Sequence, residues 1–358
     1  MLLYWLLLIV PLLATISAPR FLYVKHSARS WGLGLKLYFA FVVLVVGLRH
    51  QVGADWEHYW APIEWALQQS LVEGLKQGGD WGYGLLTWLS AHAGAGVYGV
   101  NLVCAGVFAY GLMVFCQNSP RPWLSLAVAV PYLVIVVAMG YTRQGVAIGL
   151  VMLGLVALDK GSMARFVAWV AVGALFHKTA LILIPMAIFA GRKNWVAVAG
   201  VLVTAVLLFF LLLAEYVDHL VAGYITDQYA SSGAAIRIAM NSLPATVFLV
   251  FRKRFHLTES QRVFWTWMSL GGLAFIGLLV VSPSSTAVDR VALYWIPLQL
   301  YVWSRWPGAM AKRPSQQLPW VLGVLLYSLT VQFVWIFYAD HSFAWVPYQF
   351  YPWVWLWQ

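Results

Sequence analysis

Charge is the scarcest property of this chain of 358 residues: Asp, Glu, Lys and Arg together make up 9% of it, and only 12 residues are acidic. So little charge excludes an ordinary soluble domain, in which about a quarter of residues are charged. Cysteine is nearly absent too. Cys104 and Cys116 both fall in one apolar stretch, where a free thiol behaves as a small hydrophobe and says nothing about redox compartment. No linker, low-complexity tract or separable soluble domain interrupts the chain. It also lacks a basic arm with interleaved aromatics, so a net charge of +10 does not point to nucleic acid as a partner.

What is present is apolar: 62% of residues are hydrophobic, 16% are aromatic, and the mean hydropathy is +0.78. The solvent of such a chain is the lipid bilayer. The expected fold is an all-α polytopic integral membrane protein, one transmembrane domain over residues 1–358. Residues 1–18 are apolar from the start and lack a basic n-region, so they read as a retained helix rather than a cleaved signal.

Loop charge sets the expected orientation. Loops at residues 20–36, 117–122, 159–165, 191–194, 252–262 and 304–317 hold 16 of the 22 Lys and Arg residues and two of the 12 acids. Placing these loops inside satisfies the positive-inside rule and leaves both termini outside. The pattern then predicts about twelve membrane-crossing helices, at 1–19, 33–48, 97–116, 123–140, 145–158, 166–176, 179–190, 195–214, 237–251, 263–281, 291–303 and 318–337. Some are too short to cross a hydrocarbon core of about 30 Å. The stretch from Arg165 to Arg192, read as one helix, would put Arg252, Lys253 and Arg254 outside. Two half-length helices meeting at Phe176–His177–Lys178–Thr179 keep the sign pattern. A second break is expected around Tyr141–Thr142–Arg143–Gln144. Broken helices at membrane depth are tolerated where the freed backbone is enclosed by protein or lines a cavity. Gly145 and Gly149 form a GxxxG step suited to close helix packing.

Six cations then stand on the wrong side: Lys76, within residues 49–96, and Arg49, Arg143, Lys178, Arg237 and Arg290, which lie at outer ends of spans. Each of these last five alone could be a snorkelling anchor. As a set they point to a shared anion site, since a guanidinium pairs with two phosphate oxygens and stays charged. His177 and Asp55 are the candidate bases. Tyr59, Gln144 and Asp289 are supporting residues, Asp289 orienting the neighbouring Arg290. Asp55 and Glu57 offer two carboxylates to a divalent ion, but no further ligand cluster accompanies them, so no metal site is expected and a divalent cation stays an open alternative. Residues 49–96 form the longest external loop, expected to carry short helices lying on the membrane. Residues 215–236 form a second external loop. The tryptophans Trp345, Trp353, Trp355 and Trp357 are expected in an interfacial belt, with stacking on sugar rings as the alternative.

The motif order is specific. Arg49 ends an early span and is followed by Val52-Gly53-Ala54-Asp55-Trp56 and by Tyr59, four residues past the Asp. Then come Gly82-Tyr83-Gly84, Arg143-Gln144, Phe176-His177-Lys178-Thr179-Ala180 before Pro185, Arg237 with Leu243-Pro244, Asp289-Arg290 with Tyr294, and Pro347-Tyr348-Gln349. This set resembles the EpsG family of exopolysaccharide polymerases, relatives of the Wzy-type O-antigen polymerases. The chain departs from the pattern in having Trp56 where Tyr is commoner and no acid immediately before Gly82. The resemblance implies a GT-C-like membrane glycosyltransferase of exopolysaccharide biosynthesis in the bacterial inner membrane, its site facing the periplasm or exterior. It implies undecaprenyl-diphosphate oligosaccharides as donor and acceptor, no cofactor, and room for a chain-length regulator as a partner. A membrane glycan O-acyltransferase using His177 as base, and a lipid-linked sugar transporter or flippase, are the rival readings. The first leaves the external arginines unexplained; the second calls for an internal repeat that the two halves do not show.

Overall fold

The structure is a computed structural model that describes residues 1–17, 31–77, 79–189, 195–212, 231 and 233–356. The described residues form helices and no β-strand, in keeping with a membrane protein, whose backbone must bond internally. The longer helices are α1 (Leu2–Ser17), α2 (Leu33–Gly47), α6 (Gly96–Gln117), α8 (Thr142–Asp159), α10 (Trp195–Leu212), α11 (Ala234–Phe251), α12 (Glu259–Val281), α14 (Ile296–Met310) and α15 (Leu318–Tyr338). Between them lie α7 (Pro122–Ala129), which widens into a π-helical stretch over Val130–Ala138, and α9 (Met163–Ala174) followed by a 3₁₀ segment, Lys178–Phe189. Every expected apolar segment is therefore helical. Among the described residues, five helices are long and apolar enough to cross a membrane by length and composition: Gly96–Gln117, Thr142–Asp159, Ala234–Arg254, Glu259–Val281 and Pro314–Tyr338.

Both expected breaks are present. The chain leaves helix between Ala174 and Lys178, and again at Tyr141. At the second break α8 starts at Thr142, earlier than expected, so Arg143 and Gln144 ride its first turn instead of the linker. Likewise the helix expected from residue 291 begins with α13 (Ser285–Ala292), capped by the Ser284 hydroxyl, so Asp289 and Arg290 are helical.

Helix α8 is the most enclosed of the spans, wrapped by α6, α9 and the π-helical stretch. Glycine makes this approach feasible. A Cβ on Gly149 would come within 2.7 Å of Phe108 Cα on α6, and one on Gly145 within 3.1 Å of Ala138 Cα. The GxxxG step is thus a packing face shared between two neighbours.

Residues 49–96 carry short helices, α3 (Ala61–Ala66), α4 (Leu71–Gln77) and α5 (Trp81–His92), after a 3₁₀ turn at Glu57–Tyr59. Trp60, Trp65, Leu67, Val72 and Trp81 are exposed along them. The C-terminal segment closes over the start of this loop. His50 N–H donates to Gln349 O (2.9 Å), Gly53 N–H to Ala344 O (2.8 Å) and Tyr351 N–H to Leu48 O (2.8 Å).

One aromatic expectation is corrected here. Trp345 is buried at 2% exposure, donates from Nε1 to Ile135 O (2.8 Å) and packs on Gly140, while its own carbonyl accepts from Tyr4 Oη of α1 (2.6 Å). It is a core residue, because its indole N–H finds a carbonyl inside the protein. Trp353 and Trp355 are exposed; Trp357 lies outside the described residues, as do residues 215–230 of the second external loop.

Candidate functional site

One end of the helical bundle gathers charged side chains from four chain regions, and two glycines set their positions. Gly82 N–H donates to Leu175 O (2.7 Å), and a Cβ there would sit 3.0 Å from that oxygen. This close approach docks α5 on the end of α9 and brings Asp80 to the helix break that follows Ala174. Gly53, at φ +108°, lies so near Met139 O that a Cβ would be 2.6 Å away. It docks the loop carrying Asp55 on the break at Tyr141.

Arg49 faces inward. It is 1% exposed and donates to four acceptors: Val52 O (3.1 Å), Val46 O (2.6 Å), Asn101 Oδ1 (3.2 Å) and Thr142 Oγ1 (2.8 Å). Its guanidinium is consumed by the protein, so the structure does not bring it to a ligand. Arg49 instead ties the end of α2 to α6 and to the start of α8.

The remaining cations divide by partner. Arg237 makes a bidentate pair with Asp289, Nε to Oδ1 at 2.7 Å and Nη2 to Oδ2 at 2.8 Å, and also donates to the Ser231 hydroxyl. Asp289 was expected to orient Arg290; its carboxylate holds Arg237 instead, one helical face away. Arg143 lies 3.5 Å from Asp80 Oδ2 and stacks over Tyr83 at 4.7 Å and Tyr59 at 6.0 Å. Arg290 lies flat over the Tyr141 ring at 3.8 Å, and its guanidinium has no hydrogen-bond or ion-pair partner among the described residues. Gln144 Nε2 donates to the Arg290 carbonyl (2.6 Å), which locks α13 to the first turn of α8. Lys178 begins the 3₁₀ segment, and its backbone N–H bonds the Asp80 carboxylate.

The candidate bases sit among these groups. Asp55 is half-buried; burial pushes its carboxyl up, while Arg290, His58 and Arg143 pull it back. No hydrogen-bond partner engages that carboxylate among the described residues. His177 shares a hydrogen bond through Nδ1 with Thr179 Oγ1 (2.6 Å) and has Tyr294 Oη at 3.2 Å. Arg290 and Arg143 act on its imidazole as well as on Asp55, so all four groups occupy one electrostatic neighbourhood. Tyr59 is buried, and its phenol is pushed up to about 12 by burial and by Asp55. Its ring lines the site as a wall beside Arg143.

Asp80 is the functional candidate that sequence reasoning missed. It stands at the N-cap position of α5, yet its side chain makes no cap bond and turns to Arg143. Burial drives its carboxyl up to about 6, against the pull of Arg143 and Lys178. The signal was an acid two residues before Gly82 rather than immediately before it. Asp55 and Glu57 acquire no further neighbours suited to a metal: no group of three or more His, Cys, Asp or Glu side chains is placed to hold one among the described residues.

The described residues form a helical membrane protein whose cationic side chains gather beside its two helix breaks. A family model narrows this. The EpsG family model matches residues 35–350, most of the chain, and the chain belongs to that family, which is like the Wzy-type polymerases and associated with polysaccharide polymerisation. No curated protein and no solved structure matches the chain.

Proposed function

We propose that this chain polymerises undecaprenyl-diphosphate-linked oligosaccharide repeat units at the outer face of the bacterial inner membrane. The fold is then a GT-C-like arrangement of about twelve crossings, with the short helices of residues 49–96 lying on the membrane surface. One observation carries the reading: the guanidinium of Arg290, without a hydrogen-bond or ion-pair partner among the described residues, shares a neighbourhood with Arg143, Asp55 and His177. In the reaction, a hydroxyl oxygen of the incoming repeat bonds to the anomeric carbon of the growing glycan. The bond from that carbon to the diphosphate oxygen breaks, and the lipid diphosphate leaves with the electron pair. Charge accumulates on phosphate oxygens, where Arg290 and Arg143 stabilise it, with the N-terminus of α8 adding its dipole. The acceptor proton passes to Asp55, whose carboxylate is uncommitted and raised toward the working range. His177, held by Thr179 and Tyr294, orients the acceptor. Arg237 and Asp289 act as a rigid strut that positions α13, with Lys178 adding positive potential.

The test is purified protein in nanodiscs supplied with undecaprenyl-diphosphate oligosaccharide. A ladder of lengthened glycans with release of the lipid carrier supports polymerisation. Unchanged chain length with consumption of an acyl donor, or transport without extension, would sink it in favour of an acyltransferase or a flippase.

Asp80 adds a pH dependence. As pH rises through about 6 its carboxyl ionises and competes with the ligand for Arg143; below about 6 it is neutral and Arg143 is released. Binding of a sugar-capped lipid diphosphate, whose oxygens do not titrate there, should tighten on acidification with a midpoint near 6. Asp80→Asn should bind at neutral pH as wild type binds in acid. A pH-independent wild-type affinity would contradict this gating.

A further inference from the structure

The arginine site lies at one end of α11, and a second cationic feature lies at the other. Helix α11 runs 18 residues from Ala234 to Phe251, which at 1.5 Å per residue is about 27 Å, close to the thickness of a hydrocarbon core. At its far end a cavity of about 520 Å³ is lined by Arg252, Lys253 and Arg262 together with Val263, Thr266, Trp267 and Leu270. A second, of about 500 Å³, flanks the same Arg252 and Lys253 on the side of Val250 and Phe251. None of Arg252, Lys253 and Arg262 makes an ion pair among the described residues. The nearest acid in sequence is Glu259, in the first turn of α12; Asp159 accepts from Gln261 Nε2 (2.8 Å).

The walls below these cations are apolar and arranged in a line. Val263, Trp267 and Leu270 recur at helical spacing on one exposed face of α12, at 40%, 43% and 43% exposure. Phe189 stacks on Trp267 at 4.3 Å and backs the stripe. The start of α12 is fixed by a capping box, in which Thr258 and Gln261 bond each other's backbone N–H, so Arg262 is held at the mouth of the cavity. A small soluble anion would use the cations and leave the stripe idle. A molecule with an anionic head and an acyl tail uses both.

We propose that this cavity is a binding site for an anionic phospholipid, its phosphate held by Arg252, Lys253 and Arg262 and one acyl chain laid along Val263, Trp267 and Leu270. Basic cavities between membrane helices take lipid headgroups by the same electrostatics that draw polybasic segments to anionic leaflets. The site is independent of the polymerase reading, since it lies a helix length away from Arg237.

The experiment is native mass spectrometry of the full chain, released from detergent after equilibration with phosphatidylglycerol, with phosphatidylcholine of the same chains, or with inorganic phosphate. Wild type should retain phosphatidylglycerol at least tenfold better than phosphatidylcholine. The variant Arg252→Gln/Lys253→Gln/Arg262→Gln, whose three side chains are exposed, should lose that preference while melting like wild type without lipid. Leu270→Ser should weaken retention with every cation in place. Equal retention by the triple variant would overturn the proposal. So would inorganic phosphate displacing the bound lipid, which would mark a site for soluble anions. If the triple variant does not accumulate, Arg262→Gln alone carries the same two outcomes.

Discussion

Arg290→Ala is expected to lower chain extension by a factor of about 100 or more, the loss typical when one preorganised group facing developing negative charge is removed. The reason is its lack of a partner. Arg237 is neutralised by Asp289 and Arg143 is partly so by Asp80, whereas Arg290 rests on the face of Tyr141 with its donors uncommitted among the described residues. A cation stacked on a ring keeps its charge and its planar fork available to a ligand. Arg290→Lys keeps the charge and loses the fork, so it should recover part of the activity. The readout is glycan length in membranes containing equal amounts of inserted protein. Near-normal extension by Arg290→Ala would remove this guanidinium from the diphosphate site.

Arg49→Ala should fail for a different reason, by loss of the folded protein. The substitution deletes one buried group and strands Val46 O, Val52 O, Asn101 Oδ1 and Thr142 Oγ1. Each stranded buried polar group costs about 1–3 kcal/mol, against a typical net stability of about 5–15 kcal/mol. The void left by a fully buried arginine adds to this. Arg49→Lys retains the charge but cannot serve four acceptors, so it should fall between the two. Accumulation and detergent melting temperature measure this directly. A normally stable Arg49→Ala protein with lost activity would return Arg49 to the ligand-binding set. The two arginines thus separate by assay: Arg290 changes turnover with the fold intact, and Arg49 changes the fold.

The helix pattern was readable because lipid imposes long apolar runs, and the two breaks because polar tips at His177 and Arg143 interrupt them against the charge rule. Helix starts were read late at Thr142 and Ser285, since both first turns are polar and hydropathy gives no reason to begin there. The direction in which Arg49 points was not legible. Its place at the end of α2 fits an outward clamp as well as an inward tie, and the choice rests on Asn101 and Thr142, which lie 52 and 93 residues away. The pairing of Asp289 with Arg237 rather than Arg290 has the same cause, a contact across 52 residues. Trp345 looked interfacial because it sits in a tryptophan-rich tail; only the carbonyl of Ile135, 210 residues earlier, makes it a core residue. Asp80 lies two positions before Gly82 rather than directly before it, so the sequence pattern assigns it no role. Close approach of Gly82 to Leu175 is what gives that acid its site.

The central claim is that the outer cationic cluster holds a lipid diphosphate. Its most direct test is an experimental structure of the protein with bound undecaprenyl diphosphate. The account predicts diphosphate oxygens within hydrogen-bonding distance of the Arg290 and Arg143 guanidiniums, about 2.7–3.2 Å, with Arg49 still turned inward. A diphosphate resolved elsewhere, with Arg290 still resting unbound on Tyr141, would contradict it.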